Sequence, residues 1–215
     1  MPEQLQRTDE WMSKRLGKIN ASAIHNLMSK TKYGESKYKE NLRLELAIER
    51  LTGKQANPIP LNEHMRRGIE REPDARNAFS ELTKLKITEV GSIQHPLIEN
   101  SGASPDGMVN DGEMDFCLEI KCPAMPMHAR NLLAEKIPSQ YKHQVQWQMA
   151  CTGALGAYWV SYNPDFTDDT KLKYLFVERD DKLIKEMEDE VIKFDKEVDV
   201  LVNLLKEGAM YGRTV

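Results

Sequence analysis

Apolar residues recur along this chain with two spacings, and the change between them divides it. Up to about residue 82 the spacing is helical. Residues 8–16 predict a short helix with Thr8 as its cap. Ser22 can cap a second over residues 23–29, with Ile24, Leu27 and Met28 on one face. Residues 30–36 read as an exposed loop. A longer amphipathic helix is predicted over 36–52, with Leu42, Leu46 and Ile48 inward and Gly53 as its stop. Pro58 and Pro60 interrupt the pattern. Asn62 can cap a further helix reaching about residue 82, where Pro73 predicts a kink or restart.

After residue 85 the spacing shortens to alternation. Strands are predicted over 86–94, in a piece ending near Ala103, at Met108-Val109 and over 116–122. Asn110-Asp111-Gly112 marks the turn between the last two. Residues 126–135 and 138–152 return to helical spacing. Residues 154–162 and 173–179 read as strands joined through Asn163-Pro164-Asp165. A final helix over 181–206 carries the apolar stripe Leu183, Met187, Val191, Phe194, Val198, Leu201 and Leu205. The pattern predicts an α/β fold, with helices flanking a central mixed sheet of about five strands.

Composition narrows the class. The 215 residues suit one domain: a helical part over about 1–85, a sheet core over about 86–180 and the C-terminal helix over about 181–206. No apolar run is long enough to span a membrane, and the first residues carry no signal-peptide pattern. A cytoplasmic protein is expected. The three cysteines, Cys117, Cys122 and Cys151, have no zinc spacing and should be reduced and packed. His25, His64, His95, His128 and His143 likewise lack metal spacing. A net charge of −4 argues against non-specific coating of nucleic acid. Basic residues nevertheless gather early, at Lys14, Arg15, Lys18, Lys30, Lys32, Lys37 and Lys39, whereas the C-terminal third is acidic. Any DNA contact is therefore expected from the N-terminal half.

The densest candidate chemistry lies in Ser104-Pro105-Asp106-Gly107 and Leu118-Glu119-Ile120-Lys121. Alternate strand residues share a face, so Glu119 and Lys121 point one way and Leu118 and Ile120 the other. Asp106 sits at a turn or strand end, where a hairpin can bring it to Glu119. Two carboxylates suit Mg²⁺ or Mn²⁺, and a nearby ammonium can hold a water or a phosphate oxygen. By itself Glu-x-Lys is also an ordinary solvated pair. Glu72 can add a third carboxylate from the preceding helix. Gln140, Gln144 and Gln148 repeat at i, i+4, with Tyr141 and Trp147 interleaved. Asp111 and Asp115 offer competing carboxylates.

In order along the chain, these blocks resemble the phage lambda exonuclease family of viral recombination nucleases. That family belongs to the restriction-endonuclease-like superfamily with the PD-(D/E)xK core. The blocks are Arg15-Leu16-Gly17 with Ile19-Asn20-Ala21-Ser22, Gly68-x-x-x-Glu72, the Asp106 and Glu119-Ile120-Lys121 segments, Gln144-Val145-Gln146-Trp147, residues 158–164 and Val177-Glu178-Arg179-Asp180. The resemblance implies two Mg²⁺ ions, with Mn²⁺ as a substitute. Asp106, Glu119 and the Ile120 carbonyl would be ligands, and Glu72 would help the second ion. Lys121 would orient or deprotonate the attacking water or stabilise the pentacovalent phosphate, and Gln144 would help position the nucleophile or phosphate. Arg15, Ser22 and Ser104 would receive the 5′-terminal phosphate. Lys32 stands where the family has an arginine tracking the minor groove, and Met65 would be the apolar wedge splitting the terminal base pair.

The activity so implied is 5′→3′ digestion of one strand of linear double-stranded DNA to mononucleotides. It leaves a 3′ single-stranded overhang. The implied partners are DNA ends, a phage single-strand annealing protein and two further copies of the chain in a trimeric ring, in a bacterial host. Two alternatives stay open: an endonuclease or structure-specific nuclease on the same core, and a non-catalytic DNA-end-binding protein.

Overall fold

The computed structural model describes residues 6–29, 35–58 and 60–211. Helix α1 (Asp9–Arg15) opens on Thr8, whose side chain accepts from the Trp11 amide. Strand β1 (Ile19–Asn20) leads into α2 (Ala21–Met28). Asn20, not Ser22, holds the N-cap position, and Ser22 lies exposed in the first turn. The helix starts early because Ala21, Ala23, Ile24 and Leu27 are all buried. Helix α3 (Lys37–Thr52) has the expected Ser36 cap and left-handed Gly53 stop. Ala47 rather than Ile48 is buried on its inward face beside Leu46.

Helix α4 (Glu63–Thr83) is capped by the Asn62 side chain and runs unbroken through Pro73, against expectation. Pro73 faces solvent, so the carbonyl left without its amide can meet water. Meanwhile Glu72, Ala75 and Phe79 anchor the opposite side.

The predicted 86–94 strand is two strands that join different sheets. β2 (Lys86–Thr88) enters a five-stranded sheet with β5 (Gly107–Asn110), β6 (Asp115–Lys121), β7 (Gly156–Tyr162) and β8 (Leu172–Glu178). Their spatial order is β2-β5-β6-β7-β8. β3 (Ile93–Gln94) joins β4 (Ser101–Ala103) and β1 in a small second sheet of order β1-β4-β3. Its strands are too short for period-two patterning to show. β6 and β7 run parallel while their outer neighbours are antiparallel, so the main sheet is mixed. Helices α5 (Met125–Leu133) and α6 (Ser139–Thr152) connect β6 to β7. Helix α7 (Asp181–Tyr211) follows β8 and extends past the expected end.

Three apolar clusters bind these layers. On one face of the main sheet, Ala75 and Phe79 of α4 pack on Val109, Phe116, Leu118, Ile120 and Val160. On the other, Val145 and Met149 of α6 pack on Cys117, Ala157 and Trp159. The third cluster joins Ile24 and Leu27, Leu46 and Ala47, Trp147, and the α7 stripe at Met187, Val191, Phe194 and Val198. All three cysteines are free and buried.

Phe79 fixes α4, and with it Glu72, to the sheet; its ring lies 5.3 Å from Tyr158 and 5.5 Å from Tyr174. Phe79→Ala should lower unfolding free energy by about 3–5 kcal/mol, because the fully buried ring leaves a cavity. Urea denaturation checks this, and a loss below about 1 kcal/mol would contradict the packing account.

Candidate active site

The β5–β6 hairpin builds the centre of the site. Gly107 pairs with Leu118, and Val109 with Phe116. Asp106 extends the pairing: its amide donates to the Leu118 carbonyl at 2.9 Å, and its carboxylate accepts from the Ile120 amide at 2.7 Å. A side chain at Gly107 would meet the Ile87 methyl at 2.7 Å. Glycine therefore lets β2 close against the strand that begins at Asp106.

Glu119 faces α6, and only 1% of it is exposed. Lys121 and Gln148 both hydrogen-bond to its carboxylate, and Gln144 Nε2 donates to it at 2.7 Å. Gln144 and Gln148 of the amide repeat thus serve a buried charge, while Gln140 lies exposed. Lys121 Nζ also lies 5.0 Å from the Tyr141 ring centre. Burial would lower the Lys121 pKa, but the Glu119 and Asp106 charges outweigh it, and the net shift is upward. Burial, then the charges of Glu119 and Glu72, hold the Asp106 carboxyl well above the usual carboxylate range. Its Oδ1 takes no hydrogen bond among the described residues.

Asp106, Ile120, Lys121, Glu72 and Met65 line one cavity of about 400 Å³, with Arg7 and Tyr141. Glu72, 6% exposed, is held by Arg76 from its own helix and by Arg7 at 2.6 Å. Met65 is exposed in the first turn of α4. Among the described residues, no three His, Cys, Asp or Glu side chains converge as a ready metal cluster. The donor set still suits a hard divalent cation: two carboxylates and a carbonyl, with an unbonded Asp106 oxygen and mutual repulsion that a cation relieves.

A second group forms beside this centre. Arg15 Nη1 donates to Ser104 Oγ at 2.9 Å, and Trp11 Nε1 donates to the same oxygen at 3.1 Å. The Arg15 guanidinium lies over the Trp11 ring, 4.3 Å from its centre. Burial lowers the Arg15 pKa to about 10. No carboxylate pairs with it among the described residues. Arg15 and Ser22 line a cavity of about 340 Å³ with Lys18 and Asn20. Lys32 lies outside the described residues.

The structure places Asp111 and Asp115 at the far end of the hairpin. Asp111 accepts from the Glu113 and Met114 amides, and Asp115 accepts from Asn110, so both serve the turn. Sequence reasoning gave Gln148 no role beyond the amide repeat and left Arg76, Trp11 and Arg7 out of the site. The first three carried a signal, each lying four residues along a helix from a named residue (Gln144, Glu72 and Arg15). Arg7 carried none.

Residues 10–155 match the YqaJ-like viral recombinase domain, and the chain belongs to that family. The chain is similar to an alkaline exonuclease, LHK-Exo from Laribacter hongkongensis. They share 40% identity over 95% of this chain and 99% of that one, with a TM-score of 0.85. The same exonuclease in complex with dAMP aligns with a TM-score of 0.86. A phage-related exonuclease from Haemophilus somnus 129PT, 16% identical over 87% of this chain and 96% of its own, shares the fold with a TM-score of 0.71. No curated protein matches the chain. The α/β, restriction-endonuclease-like fold expected from the sequence is the one found.

The raised Asp106 pKa has a consequence for stability. A carboxyl whose folded pKa is raised costs nothing at low pH, and destabilises increasingly as pH rises through that pKa. In EDTA, Asp106→Asn should therefore melt at a higher temperature than the parent at pH 8, with the gap closing toward pH 4. A lower melting temperature for the variant at pH 8 would contradict the crowding of carboxylates.

Proposed function

We propose that this protein is a Mg²⁺-dependent 5′→3′ exodeoxyribonuclease that digests one strand of linear duplex DNA to mononucleotides. One observation carries the reading. Arg15, half-buried and without a paired carboxylate among the described residues, shares Ser104 with Trp11, and Ser104 is separated from Asp106 only by Pro105. A guanidinium and a hydroxyl are suited to a phosphate. Placed this close to paired carboxylates, they favour a nuclease that starts from a phosphorylated end. The family membership and the likeness to an alkaline exonuclease support the same reading.

Asp106, Glu119 and the Ile120 carbonyl would hold the metal, and Glu72 would help a second ion. Bound there, Mg²⁺ or Mn²⁺ supplies a more acidic water and charge stabilisation at the phosphate. The protein's own groups do the rest. Lys121, kept protonated beside Glu119, orients the attacking water and steadies negative charge on the phosphate. Gln144 and Gln148 hold the Glu119 carboxylate in one orientation. Met65 on the cavity wall would wedge the terminal base pair, and Lys32 would follow the duplex. The 3′ overhang left behind suits a single-strand annealing protein in phage recombination. The trimeric ring and the bacterial cytoplasm belong to the same proposal, supported by the resemblance. Among the described residues no helix is long and apolar enough to cross a membrane.

A linear duplex with a 5′ phosphate on one strand and a 5′ hydroxyl on the other tests this, with Mg²⁺ and then EDTA, beside a closed circle. Expected is selective loss of the phosphorylated strand, an intact circle and silence in EDTA. A cut circle would point to an endonuclease, and no cutting with any divalent metal to an end-binding protein. Lys121→Ala should lower kcat by about 10²-fold or more while sparing duplex binding in Ca²⁺. Cleavage at the parent rate would remove Lys121 from its role.

A further inference from the structure

Arg7 stands out on three observations. Its backbone is left-handed, at φ +72°, which for a residue with a side chain is strained. It lines the cavity that holds Asp106, Ile120 and Lys121, and also the adjoining one with Asp106, Pro73 and Glu89. Among the described residues it bonds to Glu72 alone, with its side chain 41% exposed.

Glu72 does not need Arg7. Arg76 already pairs with Glu72 from the next turn of α4, and Arg76 is held in turn by Glu89. The chain Arg7–Glu72–Arg76–Glu89 balances two positive against two negative charges, with Arg7 at its free end. Removing Arg7 leaves Glu72 paired. The segment before α1 is pinned separately, because Gln6 donates to the carbonyls of Val90 at 3.1 Å and Pro105 at 2.6 Å. That anchor fixes Arg7 beside Asp106 without any help from the ion pair.

Resting on the nuclease reading above, we propose that Arg7 is a substrate-contacting residue that binds the scissile phosphate. In the free protein the guanidinium rests on Glu72. With DNA in the cavity it turns its remaining N–H donors to the non-bridging phosphate oxygens, while Glu72 keeps Arg76. A planar fork suits two such oxygens, and its charge counters what develops there during cleavage. Arg7 would thus act on the reacting phosphate, and Arg15 on the terminal one.

The backbone supplies a clean test. Arg7→Gly removes the guanidinium at a position where glycine relieves strain, so its melting temperature should match or exceed the parent's. The substrate is a linear 5′-phosphorylated duplex, followed at several Mg²⁺ concentrations. The proposal expects kcat/KM to fall on the order of ten- to a hundredfold, with the Mg²⁺ concentration for half-maximal rate unchanged. Arg7→Lys should restore part of the loss. Parent-level kcat/KM in Arg7→Gly would overturn the proposal. So would a defect that disappears at saturating Mg²⁺, since Arg7 would then act only through Glu72. If the parent itself leaves the duplex intact, the nuclease reading fails and this proposal fails with it; cleavage by both proteins with equal kcat/KM overturns Arg7 alone.

Discussion

A carboxylate sealed inside the sheet sets the terms for the rest of the site. Glu119 sits on the central strand with almost no contact with water, and an unpaired charge there would cost several kcal/mol. Three donors meet it: Lys121 from its own strand face, and Gln144 and Gln148 from α6. Satisfying this one group fixes the rotation of α6 on the sheet. It also holds Lys121 protonated and places Tyr141 beside it. The antiparallel partner strand then delivers Asp106 next to Glu119, and α4 brings Glu72 to the same cavity. The outcome is an excess of buried carboxylate that the protein's own cations only partly offset.

Two arginines flank this centre in different ways. Arg15 is half-buried, lies over the Trp11 ring and bonds to a hydroxyl, with no ion pair among the described residues. Arg7 is half-exposed and rests on a glutamate that already has a partner. Both attach to the short segment 104–106, Arg15 through Ser104 and the Arg7 segment through the Pro105 carbonyl. One short stretch of backbone thus ties down both arginine-bearing segments.

Much of this could be read from the sequence because the main elements carry their own signals. Ser36, Gly53 and Asn62 are helix boundaries with side-chain or backbone reasons, and each held. Alternation on β6 gave the faces of Glu119 and Lys121 correctly, with Glu119 turned to the glutamine helix. Other features had no local signal. Ile19–Asn20 is too short for a period and becomes a strand only beside β4, and the break that parts Ile93–Gln94 from β2 and pairs it with β4 is equally silent in the sequence. Pro73 is tolerated through burial on the other side of α4, a tertiary effect. The ion-pair chain and the backbone angle at Arg7 are likewise invisible in the order of residues.

The central claim is that the Asp106–Glu119 hairpin is a divalent-metal centre. Anomalous diffraction from crystals of the protein soaked in Mn²⁺ tests it most directly. The account predicts manganese density coordinated by the carboxylates of Asp106 and Glu119 and by the Ile120 carbonyl. A soak that gave no density there, or manganese bound only elsewhere on the protein, would contradict it.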